Sequence, residues 1–277
     1  MKPLVLAKKG NDNISTSGAN SRISALVSKA QQITSICSSS AVLEIAFIFD
    51  TTGSMYDVFA TAQQAISRIS DEISGGGRKV KMSFIAYKNH GDERCFDGKR
   101  PFVSSGWTTN PTEIRLAMSR VPNGGGGDGL TALEDVLHYL ANEQWDTDAK
   151  RAIVLIGDMP PHGVVDSVNR CPYRLNYRES VSTFKRENIA VYSVYCDTSG
   201  IFSMKKERKE KIVDFYRQIA EETGGRLLSL EDTATLVMIL TAICKKETGQ
   251  LDEYEKALAS RQQLTAKAGE VIRSLKA

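Results

Sequence analysis

One run of the sequence, Leu43–Phe49, constrains the fold of this 277-residue chain more than any other feature. It is apolar at every position except Glu44. A strand with one solvated face alternates apolar and polar residues, whereas a strand buried on both faces is apolar almost throughout. The run therefore predicts an inner strand of a parallel sheet that helices cover on both faces.

Strand and helix patterns alternate along the rest of the chain. Further strands are predicted at residues 80–87, 152–156, 189–195 and 227–230, with a short edge strand at 101–104. Helical patterns with one apolar face lie in several of the intervals. This order predicts an α/β fold with a doubly wound, mainly parallel central sheet, helices on both faces and right-handed crossovers.

The two ends of the chain differ in character from the middle. Residues 1–40 are rich in Ser, Asn, Gln and Thr and predict a polar extension with one amphipathic helix over 23–37. Residues 41–246 hold the alternating pattern. Residues 247–277 predict one long, charged amphipathic helix. This helix either docks on its own domain or forms a coiled-coil contact with a partner or with the helix over 23–37.

Charge and cysteine usage narrow the class of protein. The net charge of +3 argues against a protein that binds nucleic acid through bulk electrostatics. Five cysteines without a CxxC pair favour reduced thiols in a cytoplasmic protein over a disulfide framework or a zinc site. The N-terminal apolar segment is too short for a signal peptide, and the apolar stretch 236–243 is far below the roughly 20 residues that span a bilayer. We therefore expect a cytoplasmic protein that does not contact a membrane.

Oxygen-bearing side chains follow the first strand at alternating positions. Asp50, Thr52 and Ser54 stand at its carboxyl end, the edge where α/β sheets place their ligands. Carboxylates and hydroxyls are hard ligands that suit a divalent cation such as Mg²⁺. The alternative is a simple turn in which these side chains cap the orphan N–H groups of the next helix.

Two further segments place an acid in a loop. Asp128 lies in the glycine loop 124–129 before a predicted helix, and Asp158 follows the strand over 152–156. Each acid can instead act as a cap, Asp158 in a turn made rigid by Pro160 and Pro161. Three segments that supply oxygen ligands in this order favour a shared metal site over three separate caps.

These three segments resemble the metal-ion-dependent adhesion site of von Willebrand factor A domains, over about residues 41–246. The resemblance implies that Thr52 and Ser54 bind the cation directly, and that Asp50 binds it directly or through water. It also implies that Asp158 acts mainly through water. Mg²⁺ is the implied cation, with Mn²⁺ or Ca²⁺ as alternatives. The family usually has a threonine ligand in the glycine loop. Asp128 stands there in this chain, so either Asp128 or Thr131, three residues later, is the implied ligand.

The amino-acid sequences of four segments are similar to those of one branch of that family. DTTGSM, AYKNHGDE, GGGGDG and IGDMPPHG resemble the A domains found beside α-kinases and in bacterial multi-gene systems with ATPases, kinases or phosphatases. This resemblance implies a non-catalytic subunit of an intracellular multi-protein system, in stress response or antiphage defence. The implied partner is a protein, such as an ATPase, kinase or phosphatase encoded nearby.

The charges of the predicted ligands affect how the cation would behave. Asp50, Asp128 and Asp158 carry three negative charges against two on the cation. A carboxylate from a partner would then meet net negative charge, which weakens its attraction to the metal. We expect such a site to hold its metal without a partner more tightly than adhesion-type domains do.

Four other residues near the same edge are candidates for supporting the site or contacting a partner: Asp92, Glu93, Thr131 and His162. A catalytic role for His162 or His90 is the less favoured interpretation, because histidines in loops rich in Gly or Pro are more often structural or solvated.

The favoured function is a metal-dependent protein-interaction module, and an enzymatic function is the weaker alternative. The strand that ends in Asp50 resembles the nucleophile segment of haloacid-dehalogenase-like phosphatases, which place a second Asp as general acid where Thr52 stands. The glycine run lacks the Gly-Lys-Ser/Thr of a phosphate loop. We therefore predict no catalytic residues. Two alternatives stay open: a structural subunit whose metal only stabilises the fold, and a Mg²⁺-dependent phosphoryl-transfer enzyme.

Overall fold

The structure is a computed structural model that describes residues 43–74, 79–122, 124–127, 130–165, 171–198, 204–230 and 232–277. The polar extension predicted over 1–40, with its helix over 23–37, lies outside the described residues, and so does Asp128.

Six described strands form one sheet in the order β3-β2-β1-β4-β5-β6. They are β1 (Leu43–Asp50), β2 (Val80–Tyr87), β3 (Phe102–Thr108), β4 (Lys150–Gly157), β5 (Ala190–Cys196) and β6 (Leu227–Leu230). All neighbours pair in parallel except β2 and β3, which are antiparallel. The chain runs outward from β1 in one direction and from β4 in the other. This arrangement confirms the predicted doubly wound, mainly parallel sheet.

Eight described α-helices accompany the sheet. They are α1 (Tyr56–Ser74), α2 (Pro111–Ser119), α3 (Leu133–Ala141), α4 (Tyr177–Arg186), α5 (Lys206–Glu222), α6 (Leu236–Glu247), α7 (Leu251–Ser260) and α8 (Ala266–Lys276). None of those in the described part of the chain is long and apolar enough to cross a membrane.

Strand β1 explains why the sheet has helices on both faces. Ile45, Phe47 and Phe49 belong to the apolar cluster that includes residues of α1, α2 and α6 to α8. Ala46 and Ile48 belong to the second cluster, with residues of α3, α4 and α5. Successive side chains of a strand point to opposite faces, so an apolar strand needs a helical layer on each side.

Two elements differ from the sequence prediction. The edge strand β3 extends to Thr108, beyond the predicted 101–104, although its pairing with β2 is irregular near Ser83 and Ile85. There the Phe84 N–H donates to the Ser105 hydroxyl at 3.0 Å. The second half of β3 is mostly polar and is held partly by side-chain hydrogen bonds. It therefore lacks the alternation of apolar and polar residues from which a strand is predicted. Helix α4, between β4 and β5, was not predicted because most of its residues are polar.

The prediction of a single helix over 247–277 is wrong, because the structure has two helices there. The Gln262 N–H donates to the Ala259 carbonyl at 3.1 Å and the Gln263 N–H to the Leu258 carbonyl at 2.8 Å, the pattern of a Schellman stop. Gln262 has the positive φ of 57° that this stop requires. Thr265 then caps α8. The stop was missed because glycine, the usual residue at that position, is absent.

Helices α7 and α8 pack against their own domain. Leu258, Ile272 and Leu275 belong to the same apolar cluster as Ile239 of α6. The ammonium of Lys276 is 2.7 Å from a carboxylate oxygen of Glu255, which joins the two helices. The structure thus shows docking on the domain, one of the two alternatives for this segment.

The docking of α8 predicts a loss of stability when its apolar face is truncated. Leu275 is fully buried, whereas Leu264, in the loop before α8, is 37% exposed. We expect Leu275→Ala to lower the free energy of unfolding by about 2–5 kcal/mol, because it removes buried atoms and leaves a cavity. The matched control, Leu264→Ala, should lower it by about 1 kcal/mol or less. Urea unfolding measures both, and equal losses would contradict the docking.

Candidate metal site at the carboxyl edge of the sheet

Four loops meet at the carboxyl ends of β1, β2 and β4, where the order of the sheet reverses. Backbone hydrogen bonds join them: Gly53 donates to the Gly125 carbonyl at 3.1 Å, and Thr131 donates to the Pro160 carbonyl at 3.2 Å. A reversal of this kind is where open α/β sheets bind their ligands.

Asp50 and Asp158 are both fully buried at this edge. Oδ1 of Asp50 accepts hydrogen bonds from the Thr52 N–H at 2.9 Å and from the Thr52 hydroxyl at 2.7 Å. Oδ2 of Asp158 accepts from the Thr198 hydroxyl at 2.5 Å. The other oxygen of each acid has no hydrogen-bond partner among the described residues. Buried polar atoms normally have partners, so these two oxygens fit a bound cation.

The hydroxyls of Thr52 and Ser54 lie beside the two acids. Their oxygens are 3.5 Å apart. Both residues line a surface pocket of about 200 Å³, together with Asn89 and the described part of the glycine loop. Ser54 also hydrogen bonds to Asp158. The structure thus brings together the four residues predicted after β1 and β4, while their roles as metal ligands stay a prediction.

The two acids shift each other's protonation. Burial raises the pKa of Asp50 from 3.8 to about 7, and the charge of Asp158 adds to the increase. Burial also raises the pKa of Asp158, although hydrogen bonds from Thr198 and Ser54 oppose the shift. Two like charges removed from water repel each other. A divalent cation bound between them would relieve this repulsion, which is a second reason to expect a metal here.

Lys88 is a member of this region that the sequence reasoning missed. It follows β2 directly, its side chain is fully buried, and its ammonium donates to the carbonyls of Thr51 and Gly124. Burial lowers the pKa of Lys88, and its charge in turn opposes the increase in the pKa of Asp50. The signal that could have identified Lys88 from the sequence was a lysine at the end of a buried strand.

Asp92 holds the glycine loop over the pocket. Its Oδ2 accepts hydrogen bonds from the Gly126 N–H at 2.8 Å and from the Asn89 N–H at 3.3 Å. Gly125 has a φ of +94°, and a Cβ there would lie 2.9 Å from the Lys88 side chain and 3.0 Å from Asp92. Glycine is therefore required for this close approach. The role predicted for Asp92, supporting the metal site or contacting a partner, stays a prediction.

The threonine of the glycine-loop region bridges two segments. Thr131 is buried and lines the pocket, and its hydroxyl donates to the Pro160 carbonyl at 3.3 Å. Because Asp128 is outside the described residues, the structure does not choose between Asp128 and Thr131 as the ligand from this loop.

Glu93 and His162, the remaining predicted residues, lie in another cluster. His162 Nδ1 is 2.7 Å from Glu134 Oε1, and His90 Nε2 is 3.2 Å from the same oxygen and 3.1 Å from Asp135 Oδ2. The Glu93 carboxylate accepts from the Gly91 N–H at 3.0 and 3.1 Å. Sequence reasoning missed Glu134 and Asp135, whose signal was a pair of adjacent acids in the first turn of a mainly apolar helix.

Charge pairing controls protonation in this second cluster. Burial disfavours the charged form of His90, but hydrogen bonds to Asp135 and Glu134 prevail and raise its pKa to about 9. Burial also disfavours the charged form of Glu134, but hydrogen bonds from His162 and His90 prevail and lower its pKa to about 2. Glu134 is therefore a carboxylate near neutral pH.

Comparison with known proteins identifies the family. A sequence model of the von Willebrand factor type A domain matches residues 44–241. The match covers most of the chain, and the chain therefore belongs to the von Willebrand factor type A domain family. Domains of this family are generally protein-interaction modules. The branch associated with α-kinases and ATPase systems stays a prediction.

Individual relatives are distant and longer than this chain. An ariadne-like RING finger protein of Acanthamoeba polyphaga mimivirus is 22% identical over 213 residues, which cover 73% of this chain and 20% of that protein. Two crystal structures of the pilus adhesin SpaC from Lactobacillus rhamnosus GG share the fold. They have TM-scores of 0.57 and 0.58, 14% and 16% identity, and cover 76% of this chain and 30% and 31% of the adhesin.

The raised pKa of Asp50 predicts how metal-free stability depends on pH. The folded protein binds the Asp50 proton more tightly than the unfolded chain does, since its pKa rises from 3.8 to about 7. In chelator, the free energy of unfolding should therefore fall as the pH increases from about 4 to about 7. Asp50→Asn cannot ionise, so it should reduce this decrease and be more stable than the wild type at pH 8.

Urea unfolding in EDTA at several pH values measures this effect. Asp57→Asn, a change of an exposed acid at the start of α1, is the matched control and should keep the wild-type slope. If Asp50→Asn and the wild type lose stability in parallel, Asp50 is not the titrating group.

Proposed function

We propose that this protein is a metal-dependent protein-interaction module that binds Mg²⁺ at the carboxyl edge of its sheet. The observation that carries the proposal is the pair of buried carboxylate oxygens, Asp50 Oδ2 and Asp158 Oδ1, that have no partner in the described part of the chain. The hydroxyls of Thr52 and Ser54, 3.5 Å apart, lie at the same edge of the sheet.

The chemistry of these side chains favours magnesium. All four are oxygen donors, and Mg²⁺ is typically bound by one or two carboxylates while it keeps several waters. The pocket of about 200 Å³ beside Thr52 and Ser54 offers space for such waters. A partner's oxygen would replace one of them, which would make binding of the partner depend on the metal.

The hydrogen bonding of Thr52 supports a non-catalytic role. Its hydroxyl donates to Asp50 at 2.7 Å. In a phosphatase of the haloacid-dehalogenase type, an acid at this position would protonate the leaving group. A hydroxyl that is already committed to the neighbouring carboxylate lacks both the acidity and the free proton for this step. Phosphoryl transfer is therefore the weaker candidate.

The setting that we propose is an intracellular multi-protein system in which this chain is a subunit. Support comes from the branch-like segments around Asp50, Asp92, Asp128 and Asp158. The relatives also carry the matching region within much longer chains, which is typical of a module. An ATPase, kinase or phosphatase encoded nearby is the proposed partner, in stress response or antiphage defence.

A second candidate function is a structural subunit in which the cation only stabilises the fold. The full burial of Asp50 and Asp158 favours it, because a cation held by buried acids stabilises the native state whether or not a partner binds.

Magnesium binding is the first test. At a Mg²⁺ concentration about a hundred times Kd, the wild type should gain about 2.7 kcal/mol of stability, which raises Tm by about 5–10 °C. Asp50→Ala should lose this gain yet stay folded, and Asp57→Ala should keep it. Calorimetric titration should give a Kd below the millimolar range. If Mg²⁺ does not bind, or binds only at millimolar concentrations, the metal-dependent part of the proposed function is contradicted.

Dependence of partner binding on the metal is the second test. The proteins encoded beside this chain's gene are co-expressed with the tagged wild type, Asp50→Ala or Asp57→Ala. In Mg²⁺ we expect the wild type and Asp57→Ala to retain one of them, and Asp50→Ala to lose it. EDTA should release it from the wild type. Retention in EDTA would instead support the structural alternative.

A further inference from the structure

A cluster of a different chemical kind lies next to the proposed magnesium site. His90, in the loop after β2, Glu134 and Asp135, in the first turn of α3, and Cys171 each offer one atom. These four atoms all lie within 4.8 Å of one another. Glu134, Asp135 and Cys171 are buried, and the His90 side chain is 10% exposed. Neither the adhesion-type metal site nor its pocket uses these residues.

Two distances within the cluster are close to those between ligands on one tetrahedral ion. With Zn–N and Zn–O bonds of about 2.0–2.2 Å and a Zn–S bond of about 2.3 Å, tetrahedral angles place N and O about 3.4 Å apart and S and O about 3.6 Å apart. His90 Nε2 is 3.1 Å from Asp135 Oδ2. Cys171 Sγ is 3.8 Å from the same oxygen. Shifts of a few tenths of an ångström would bring these two pairs to ligand distances, and atoms of the cluster as far apart as 4.8 Å would have to approach by about 1 Å.

One neighbouring residue stands where partners of metal ligands are found. His162 Nδ1 is 2.7 Å from Glu134 Oε1, and the backbone N–H of His162 donates to Glu134 Oε2 at 3.3 Å. Groups that orient a ligating carboxylate in this manner are a regular feature of protein metal sites. Glu93 Oε1 is 4.0 Å from His90 Nδ1, which is beyond hydrogen-bonding distance.

We propose that His90, Glu134, Asp135 and Cys171 form a zinc site with four protein ligands. The ligand set is the reason to choose zinc, because imidazole, thiolate and carboxylate together suit this borderline-soft ion, whereas Mg²⁺ and Ca²⁺ prefer oxygen alone. Four protein ligands leave no open position for a substrate, which is typical of a structural zinc. The proposal differs from the expectation based on cysteine spacing, which favoured reduced thiols over a zinc site.

The competing explanation is an ion-pair network without metal. His90 and His162 with the two acids would account for that network by themselves. The Cys171 thiol can take part in such a network as well, because it donates to Asp135 Oδ2 at 3.8 Å. The presence or absence of bound metal therefore separates the two explanations.

A zinc ion here would link the segments that build the magnesium site. His90 is two residues beyond Lys88, which binds the carbonyls of Thr51 and Gly124. Glu134 is three residues beyond Thr131, which lines the pocket. The zinc would thus fix the loops around the pocket from the side of α3. The inference stands whether or not the proposed magnesium site is correct.

Metal content of the purified protein is the test. The full chain, expressed with zinc in the medium and dialysed against zinc-free buffer, should carry about one zinc per chain by mass spectrometry of the metal. Cys171→Ser and His90→Gln should lose most of it. Cys95→Ser, a cysteine outside the cluster, and Asp50→Asn should keep it. Circular dichroism and gel filtration show whether each variant is folded.

Cobalt substitution supplies a readout that a structural effect of the mutations would not produce. The wild type loaded with Co²⁺ should show a sulfur-to-cobalt charge-transfer band in the near ultraviolet, and Cys171→Ser should lack that band while still folded. Asp135→Asn should bind zinc at least about ten-fold more weakly.

Two results would overturn the inference. One is a wild type that carries no zinc and whose Tm is unchanged by added Zn²⁺ or by a zinc chelator, the result expected of an ion-pair network. The other is zinc that persists in Cys171→Ser but is lost in Asp50→Asn, which would place the metal at the first site. Loss of magnesium binding alone would contradict the proposed function and leave the zinc site intact.

Discussion

Parallel pairing of β1 with β2 and β4 is the constraint on which the rest of the structure depends. In the pairing of β1 with β2, Asp50 is opposite Tyr87. In the pairing of β1 with β4, Phe49 is opposite Ile156. This register puts the loops after all three strands at one edge. Because all three strands are buried by helices on both faces, a slip of one residue would turn apolar side chains of one cluster toward the other. The site geometry is therefore held by the same packing that stabilises the fold.

Electrostatics at that edge follow from the register. Asp50 ends β1 and Asp158 directly follows β4, and both are removed from water. Burial and the charge of Asp158 therefore raise the pKa of Asp50. Lys88 offsets part of this repulsion and, through its hydrogen bonds, joins the β1 loop to the glycine loop. Native stability at neutral pH is thus coupled to whatever neutralises the two acids, so the proposed cation would also stabilise the fold.

The proposed zinc cluster shares this edge but differs in chemistry. Its acids, Glu134 and Asp135, face histidines and a cysteine, and the site of Asp50 and Asp158 offers only oxygen beside them. The two proposed sites lie a few residues apart along the same loops and would have different roles. The zinc ion would stabilise the loops, and the magnesium ion would bind the partner. Asp92, which binds the Gly126 N–H, stabilises the loop that lies over the pocket.

The sequence by itself determined the sheet and the acids after β1 and β4, because apolar runs and oxygen-rich strand ends are local patterns. It did not determine the break at Gln262, where a glycine signal is absent, or the role of Lys88, whose partners are distant along the chain. The cluster of His90, Glu134, Asp135 and Cys171 was decided only by tertiary structure. Its members come from three segments, and only folding brings their ligand atoms within 4.8 Å of one another.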